Sequence, residues 1–269
     1  MNAPPLDAAR PSNPAAAFYD EVWEQWGALD DHSPAAFHRR RLLVSLIREH
    51  ARSCRQVLEV GSGQGVLLRQ LAREFPAALV HGSDVSAGAL DRTRAHCPQA
   101  PLFQLDLDSP YFEEHAEPHL GRFDLVVCSE VLEHLRDDRR ALGRLRALLA
   151  PNGTLLLSVP SGERTRFDCA IGHLRHYTPS ELAAKLGDVG LRADAVFSWG
   201  FPFHSFYRWV VKWAARAALT NLGSPRGSSS PNAWLSGGYA AFSAALKPLY
   251  YLNRSGGGPQ LFAVARREA

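Results

Sequence analysis

The feature that most constrains the fold of this chain is a short apolar segment that runs directly into a glycine-rich turn, VLEVGSGQG at residues 57–65. Glycine has no Cβ, so closely spaced glycines let the backbone turn sharply and let a ligand press against it. The dinucleotide-binding fingerprint GxGxxG would need glycine at position 66, which is Val66. The turn therefore predicts a nucleotide-like ligand at the end of a first strand, with a purely structural turn as the alternative.

Beyond this turn, short apolar segments alternate with helical ones. We interpret the apolar segments as seven strands, at residues 55–60, 79–84, 101–105, 123–128, 154–159, 191–199 and 261–266. A long helix is predicted over 132–149, and an N-cap at Thr178 with Glu181 three residues later predicts the start of another. This alternation predicts an α/β, Rossmann-like, mostly parallel sheet with helices on both faces, and ligands bind at the carboxyl ends of such strands.

The predicted strands and helices divide the chain into five segments. They are a flexible N-terminal tail (1–14), N-terminal cap helices (15–51), a cofactor-binding core (52–199), a helical lid insertion (200–258) and a last core strand (259–269). The insertion contains two helical pieces, 203–222 and 239–252, around a Gly/Ser/Pro-rich loop. A connection of this length inside a compact domain is typical of a lid or a partner surface.

Composition limits the class of protein. The formal net charge of +3 over 269 residues gives no argument for a nucleic-acid partner, and none is expected. The four cysteines are far apart in the sequence, which is typical of a reducing compartment. The N-terminus lacks the pattern of a signal peptide, and no apolar run is long enough for a transmembrane helix. We therefore predict a cytoplasmic protein.

Acidic residues follow the second, third and fourth predicted strands. Asp84 ends the second strand, where a carboxylate can accept both hydroxyl hydrogen bonds of an adenosine ribose, although a helix cap is the common alternative. Asp106 follows the third strand, with its neighbour Asp108 as a competing candidate. The fourth strand runs into Ser-Glu-Val-Leu-Glu-His-Leu at residues 129–135.

Together these motifs resemble the class I S-adenosylmethionine-dependent methyltransferases, and most of all the branch with the ubiquinone-biosynthesis O-methyltransferases. The resemblance covers about residues 55–199 and is weaker over 1–50 and 200–258. It implies an antiparallel last strand and S-adenosylmethionine as the cofactor, with an acidic residue after strand three at the adenine amino group. The cofactor-binding residues that it implies are Glu59, Gly61, Gly63, Gly65, Asp84, Val85, Asp106, Leu107, Ser129 and Glu130.

A polar loop follows the fifth predicted strand, with Gly-His-Leu-Arg-His-Tyr at residues 172–177. Relatives carry a similar segment near the transferred methyl group. Histidine titrates near working pH, so we predict His173 first and His176 second as the general base toward a hydroxyl group. Arg175 would hold an anionic group of the substrate. The alternative is that His173 and Arg175 only anchor the loop.

The segment after strand four also resembles a metal site. On a continuous helix, Glu130, Glu133 and His134 would share one face, and with His173 or His176 they could hold Mg²⁺. A similar arrangement binds metal in some quinone-precursor and small-RNA methyltransferases. The alternative, which we favour, is that Glu130 faces the cofactor while His134 packs in the helix.

Two basic segments suggest further contacts. In residues 203–222 the cations Arg208, Lys212 and Arg216 recur every four residues beside two tryptophans. Such a helix could rest on an anionic inner membrane surface or receive a lipid-linked substrate, and a lid with solvated cations is the favoured alternative. The cluster of arginines at 39–41 could meet the cofactor carboxylate, but we interpret it as solvated surface.

The sequence therefore predicts an enzyme that transfers a methyl group to a hydroxyl oxygen of a small molecule. N- or C-methylation of a sugar or a lipid-linked substrate is the alternative, because the same scaffold supports each of these nucleophiles. An NAD-dependent oxidoreductase and a non-catalytic cofactor-binding protein are alternatives of other classes. Val66 and the Glu-His motif argue against the first of these, and the polar loop argues against the second.

Overall fold

The computed structural model of the chain describes residues 17, 33–220 and 237–268. Its strands are β1 (Gln56–Val60), β2 (Leu79–Asp84), β3 (Leu102–Gln104), β4 (Phe123–Ser129), β5 (Leu149–Pro160), β6 (Leu191–Phe201), β7 (Arg254–Ser255) and β8 (Gln260–Arg267). They form one sheet in the order β3-β2-β1-β4-β5-β8-β6-β7. The predicted N-terminal tail, the helix at 15–30 (apart from residue 17) and the loop at 223–231 lie outside the described residues.

Helices connect these strands and cover both faces of the sheet. They are α1 (Pro34–His50), α2 (Val66–Glu74), α3 (Ala87–His96), α4 (Phe112–Ala116), α5 (Asp138–Leu148), α6 (Arg166–Ala170), α7 (Pro179–Asp188), α8 (Phe203–Thr220) and α9 (Gly237–Leu249). Short 3₁₀ turns lie at Glu117–His119, Leu132–His134 and Tyr250–Leu252. Within the described ranges, no helix combines the length and the apolar character needed to cross a membrane.

The sheet confirms the predicted mixed topology. Neighbouring strands from β3 to β5 pair in parallel, and β8 runs antiparallel between β5 and β6. The prediction of seven strands was short by one, because β7 pairs antiparallel with β6. Two residues are too few to produce an alternating apolar pattern, so this strand could not be recognised from its residues.

The central strands are buried on both faces, which explains their nearly continuous apolar sequences. On one face, Leu58, Val126 and Leu157 pack toward α5 and α7. On the other face, Val57 and Leu125 pack toward α1, α2 and the insertion helices. The sheet is therefore the rigid support on which the carboxyl ends of β1, β2 and β4 are held.

The predicted long helix over 132–149 was wrong at its start. Residues 132–134 form a 3₁₀ turn, and α5 begins only at Asp138. The side chain of Asp137 accepts a hydrogen bond from the amide of Arg140 at 2.9 Å, so this aspartate caps α5 and separates it from the turn. At α7 the predicted cap is confirmed, because Thr178 Oγ1 accepts the Glu181 amide at 3.2 Å.

The insertion packs on the same face of the sheet as α1. Tyr207 of α8 and Leu246 of α9 join the apolar cluster that contains Leu43 and Val44 of α1. The His38 ring is also hydrogen-bonded to the Lys247 carbonyl oxygen at 2.8 Å. Segments from both ends of the sequence thus cover one side of the carboxyl edge of the sheet.

Candidate active site

The glycine turn between β1 and α2 is built from left-handed backbone. Gly61, Gly63 and Gly65 have φ values of 77°, 54° and 75°, a region that favours glycine. A Cβ on Gly61 would collide with the side chain of Val131, which follows β4. A Cβ on Gly65 would lie 2.9 Å from Thr93 Cγ2. Both the backbone conformation and the close packing therefore require glycine in this turn.

Asp84 organises the same turn from the end of β2. Its Oδ2 accepts the amide of Gly63 at 2.9 Å, and its Oδ1 accepts the amide of Ser86 at 3.0 Å. The adjacent Val85 carbonyl oxygen accepts a hydrogen bond from Gln104 at 2.8 Å, which fixes the loop after β2. The carboxylate predicted for the ribose hydroxyls is thus 6% exposed and held against the glycine turn.

The structure separates the two competing aspartates after β3. Asp108 Oδ2 accepts the amide of Arg136 at 2.8 Å, which ties this carboxylate to the segment before α5. Asp106 Oδ1 accepts the amide of Asp108 at 2.7 Å. Leu107, between them, is buried in the core, and its carbonyl oxygen accepts from Arg144. Asp106 is therefore the better candidate for a contact with the cofactor.

Glu59 lies beneath the glycine turn. It is 4% exposed, and burial raises its pKa well above the ordinary value, as does the nearby Asp84. The Arg40 guanidinium opposes that rise. Glu59 is therefore a buried carboxyl group near the end of β1, with the charge of an α1 arginine nearby.

Glu130 stands at the carboxyl end of β4 in a strained conformation. Its φ of 57° is uncommon for a residue other than glycine, and such strain is concentrated at functional sites. Its Oε1 accepts from Gln260 Nε2 at 2.7 Å, and its Oε2 lies 3.5 Å from Arg39 Nη1. The hydroxyl of the preceding Ser129 lies 2.7 Å from that of Ser158. No sequence pattern indicated Gln260, because it lies 130 residues from Glu130.

The arginine cluster of α1 was wrongly interpreted as solvated surface. The Arg39 side chain is 18% exposed and faces Glu130, and Arg40 is 9% exposed near Glu59. Only Arg41 of the three is exposed. Two of the three guanidinium groups therefore face the carboxylates of the candidate site. The sequence could not show this, because it does not reveal which side of α1 packs against the protein.

The predicted histidines form a hydrogen-bonded chain beside this edge. His173 Nδ1 lies 3.0 Å from His176 Nε2, and His176 Nδ1 lies 3.0 Å from the Gly162 carbonyl oxygen. The ring of His134 stands edge-on to that of His173, with centroids 4.8 Å apart. Burial and the adjacent His134 and His176 lower the pKa of His173 to about 3, so this ring is neutral near pH 7.

Asp168 links the hydrogen-bonded histidines to the insertion. Its carboxylate accepts hydrogen bonds from Thr165, and Oδ1 lies 3.0 Å from Arg208 Nη2 while Oδ2 lies 3.5 Å from Lys212 Nζ. Burial disfavours its charged form, but these hydrogen bonds and cations outweigh burial and lower its pKa. His176 Nε2 is 4.0 Å from Oδ1. Asp168 was not predicted from the sequence. The available signal was the spacing of Arg208 and Lys212 by one helical turn, which lets both cations meet one acidic partner.

Arg208 and Lys212 are therefore not the solvated cations that the sequence suggested. Their side chains are 17% and 28% exposed, and both meet the buried Asp168 from α8. The side chain of Arg216 lies outside the described residues. This corrects the predicted basic outer stripe, because the outer side of α8 carries Phe206 and Trp209 instead.

Arg175 is turned toward the start of α5. Its Nη1 lies 3.1 Å from Asp138 Oδ2, and its Nη2 donates to the Arg136 carbonyl oxygen at 2.9 Å. Tyr177 Oη and Lys185 Nζ also donate to the Asp138 carboxylate. These contacts support the alternative in which Arg175 anchors the loop, rather than the predicted substrate contact.

The predicted metal ligands are arranged differently from the helical face assumed for them. Glu130 lies before the 3₁₀ turn in its left-handed conformation, so it does not share a helix face with Glu133 and His134. Instead, one ligand atom each of Glu133, His134 and His173 lie within 4.8 Å of one another. Glu133 is fully buried, and neither of its carboxylate oxygens has a hydrogen-bond partner in the described part of the chain. Burial and the nearby Glu130 raise its pKa well above the ordinary value.

A further buried imidazole belongs to the insertion. His204 is 3% exposed, and neither ring nitrogen has a hydrogen-bond partner among the residues that the structure describes. Burial, together with Arg208, Arg39 and His38, lowers its pKa well below the ordinary value. It is therefore held in the neutral form near pH 7.

Known proteins with similar sequences are methyltransferases. Residues 35–196 match the family model described as a methyltransferase domain. Over 144 residues the chain is 31% identical to the ubiquinone biosynthesis O-methyltransferase of Escherichia coli O157:H7 and 33% identical to that of Sodalis glossinidius. These matches cover 53% of this chain and 59% and 57% of the two relatives, so the chain spans less than two thirds of their length.

Solved structures with a similar fold have low sequence identity to this chain. A putative sarcosine dimethylglycine methyltransferase from Galdieria sulphuraria matches with a TM-score of 0.61 and 13% identity, over 94% of this chain and 98% of that one. Phosphoethanolamine N-methyltransferase 2 from Haemonchus contortus, in complex with S-adenosyl-L-methionine, matches with a TM-score of 0.57 and 18% identity, over 94% and 57%. They support the fold alone. With the family model matching more than half of its length, this chain belongs to the methyltransferase family as a class I S-adenosylmethionine-dependent methyltransferase.

Proposed function

We propose that this protein transfers the methyl group of S-adenosylmethionine to a hydroxyl oxygen of a small-molecule acceptor, with His173 as the general base. The glycine turn, Asp84 and Asp106 would hold the cofactor at the carboxyl edge of the sheet. The observation that carries the assignment of the base is the chain of hydrogen bonds from Gly162 through His176 to His173.

That chain dictates which ring nitrogens carry protons. The Gly162 carbonyl oxygen can only accept, so His176 Nδ1 must be the protonated nitrogen. Both rings are neutral near pH 7, because burial lowers both pKa values. His176 Nε2 then carries a lone pair and accepts from His173 Nδ1–H. His173 Nε2 is left with a lone pair that can take a proton, but the lowered pKa of about 3 makes this ring a weaker base than the ordinary histidine that the sequence predicted.

The tautomers of His173 and His176 assign each ring a role in methyl transfer. When bound, the cofactor supplies a sulfonium methyl group that reacts by in-line displacement, with S-adenosylhomocysteine as the leaving product. The acceptor oxygen would form the new bond to the methyl carbon as the bond between sulfur and carbon breaks. His173 Nε2 takes the hydroxyl proton, and His176 acts as a positioning residue that fixes the His173 tautomer. Residues of α1 and α8 would cover the site and exclude water.

Oxygen as the acceptor atom is favoured by the need for this base. A hydroxyl group must lose its proton, whereas a neutral amine attacks with its own lone pair. The relatives from Escherichia coli and Sodalis glossinidius are named O-methyltransferases. N- or C-methylation of a sugar or a lipid-linked acceptor is the alternative, because the Haemonchus contortus neighbour is named an N-methyltransferase.

A metal-assisted version rests on a separate observation, the buried carboxylate of Glu133 without a partner among the described residues. Glu133, His134 and His173 would hold a divalent ion, which would polarise the acceptor hydroxyl and lower its pKa. In that version His173 is a ligand and not the base. Full removal of metal by a chelator distinguishes the two, because unchanged activity excludes the metal-assisted version and loss that Mg²⁺ restores supports it.

The decisive experiment is calorimetry of the protein with S-adenosylmethionine and with NAD, followed by a screen of phenolic, sugar and amine acceptors. We expect binding of S-adenosylmethionine alone and methylation of a hydroxyl group. Binding of NAD without S-adenosylmethionine would overturn the proposal, and exclusive methylation of amines would replace its acceptor atom.

The role of His176 is tested by two substitutions. His176→Gln keeps an acceptor for His173 Nδ1–H, whereas His176→Leu removes it. We expect His176→Leu to lower kcat by about 10- to 100-fold while the Kd for S-adenosylmethionine stays unchanged, and His176→Gln to retain much more of kcat. Equal losses in both variants would contradict the assigned tautomer.

A further inference from the structure

The insertion exposes an unusual amount of apolar surface. We define the aromatic face as six exposed side chains, Phe201, Phe206, Trp209, Leu249, Tyr251 and Leu252. Trp209 is 63% exposed and Leu252 is 61% exposed, which is high for large apolar side chains. Clustered apolar surface of this kind marks an interaction site, whereas single exposed side chains do not.

These side chains belong to segments that contact one another. The rings of Phe206 and Trp209 are stacked with centroids 6.1 Å apart. Phe201 pairs with Arg254 across β6 and β7, and the Asn253 side chain accepts the amide of Phe203, next to Phe201. The aromatic face therefore combines the start of α8 with the 3₁₀ turn after α9.

The segments that carry the aromatic face contribute no acidic side chain of their own. Between Asp194 and Glu268 the sequence contains no acidic residue. Arg208 and Lys212 are turned inward to Asp168 and do not contribute to the outer surface. The cations beside the aromatic face are Arg254, Arg41, whose guanidinium carbon lies 4.3 Å from the Tyr251 ring centroid, and the half-buried Lys247.

Exposed aromatic rings beside cations favour one partner of the aromatic face over another. A two-fold contact with a second copy would place the same surface on both sides, so the cations of one copy would meet those of the other without acidic partners. An anionic lipid surface supplies the missing negative charge and an interfacial layer that suits aromatic rings. We propose that the aromatic face docks this enzyme on an anionic membrane surface, with the rings in the interfacial layer and the arginines at the phosphates.

Co-sedimentation of the full chain with vesicles tests this surface. The probes are vesicles of phosphatidylcholine alone and of phosphatidylcholine with phosphatidylglycerol, each at low and high salt. We expect binding to the anionic vesicles only, weakened by salt because exposed charges are screened. No binding to anionic vesicles, or equal binding to both kinds, would overturn the proposal.

Matched variants locate the contact. We expect Phe206→Ser/Trp209→Ser to reduce vesicle binding at least tenfold, whereas Tyr111→Ser, at an aromatic residue 58% exposed outside this surface, leaves it unchanged. Arg41→Gln/Arg254→Gln should reduce binding more than Arg139→Gln/Arg192→Gln, which removes the same charge elsewhere at side chains 59% and 55% exposed. Equal effects of test and control variants would overturn the proposal, with circular dichroism confirming that all of them fold.

Analytical ultracentrifugation without lipid tests the competing occupant. We expect a monomer for both the wild type and Phe206→Ser/Trp209→Ser. A dimer that this double variant dissociates would assign the aromatic face to a second copy and overturn the membrane proposal.

Discussion

The cofactor edge and the insertion contribute to one site in different ways. The edge uses backbone geometry over short sequence distances: a glycine turn, strand ends and the carboxylate of Asp84, 21 residues from the amide of Gly63 that it accepts. The insertion is held by contacts between residues far apart in the sequence, such as Arg208 to Asp168 over 40 residues and the Lys247 carbonyl oxygen to the His38 ring over 209. The family model matches residues 35–196 and leaves the insertion out.

The difference separates the cofactor edge, which follows a motif shared within the family, from the insertion, which can differ from one enzyme to another. Backbone positions in a tight turn tolerate few alternatives, so they appear as a motif. Side chains on a long insertion can be exchanged without loss of the sheet, so they can adapt the acceptor site or the docking surface.

Removal of the proposed base should have the largest effect. His173→Ala is expected to lower kcat by about 10²-fold, the lower end of the range for general-base catalysis, because the lowered pKa of the ring makes it a weak base. The Kd for S-adenosylmethionine, measured by calorimetry, should change little, since the ring belongs to the acceptor side. If His173→Ala weakened the binding of S-adenosylmethionine and left kcat unchanged, His173 would belong to the cofactor edge and would not be the base.

The glycine turn should tolerate no side chain. Gly61→Ala adds a Cβ at a φ of 77° and against Val131, so we expect a loss of about 2–4 kcal/mol in the free energy of unfolding, together with loss of cofactor binding. Gly121→Ala is the control, because its φ is 65° but nothing lies within 4 Å of the added Cβ. Its cost should be near 1 kcal/mol. Similar urea midpoints for the two variants would show that contact with Val131 is unimportant.

The junction between loop and insertion should depend on Asp168. Asp168→Asn keeps the shape of the side chain but removes the charge facing Arg208 and Lys212, with an expected loss of about 2 kcal/mol in stability. Asp188→Asn removes a carboxylate that is 43% exposed and paired with Arg139, and it should cost at most about 0.5–1 kcal/mol. Chemical denaturation gives both values. An equal cost would mean that the insertion is held without this ion pair.

Stability should fall in mild acid because buried histidines resist protonation. The folded-state pKa of His173 is about 3 and that of His204 is also lowered, whereas both titrate near 6.5 in the unfolded chain. Below pH 6.5 the unfolded state binds protons that the folded state does not, so each group lowers stability by about 1.4 kcal/mol per pH unit. Thermal unfolding from pH 7 to pH 5 measures this slope. His204→Phe should reduce it, and an unchanged slope would contradict a neutral, buried His204.

The aromatic face should contribute almost nothing to folding. Trp209→Ser is expected to change the free energy of unfolding by no more than about 0.5 kcal/mol, because the side chain is 63% exposed. Buried Trp199, 7% exposed on the same side of the sheet, is the contrast, and its truncation to alanine should cost about 3–5 kcal/mol. A large cost at Trp209 would show that its ring packs within the fold.

Much of the architecture was predictable from local pattern. Six of the seven predicted strands overlap with strands of four residues or more, and Thr178 caps α7 as its sequence indicates. The start of α5 was not predicted, since the segment from Leu132 to Leu149 is compatible with a helix and the cap at Asp137 competes with its continuation. Strand β7 was missed, because its pairing depends on β6 and not on its own residues.

In the candidate site too, local features were predictable and contacts between distant segments were not. The sequence alone determined the glycine turn, the carboxylates at the strand ends and the family, because turn geometry and the spacing of strands are encoded within a few residues of one another. Contacts between distant segments of the folded chain set the partners of the long side chains. They place Arg39 on Glu130, Arg208 and Lys212 on Asp168, and Arg175 on Asp138. A charged side chain on a helix can face water or the protein, and packing between distant segments makes that choice.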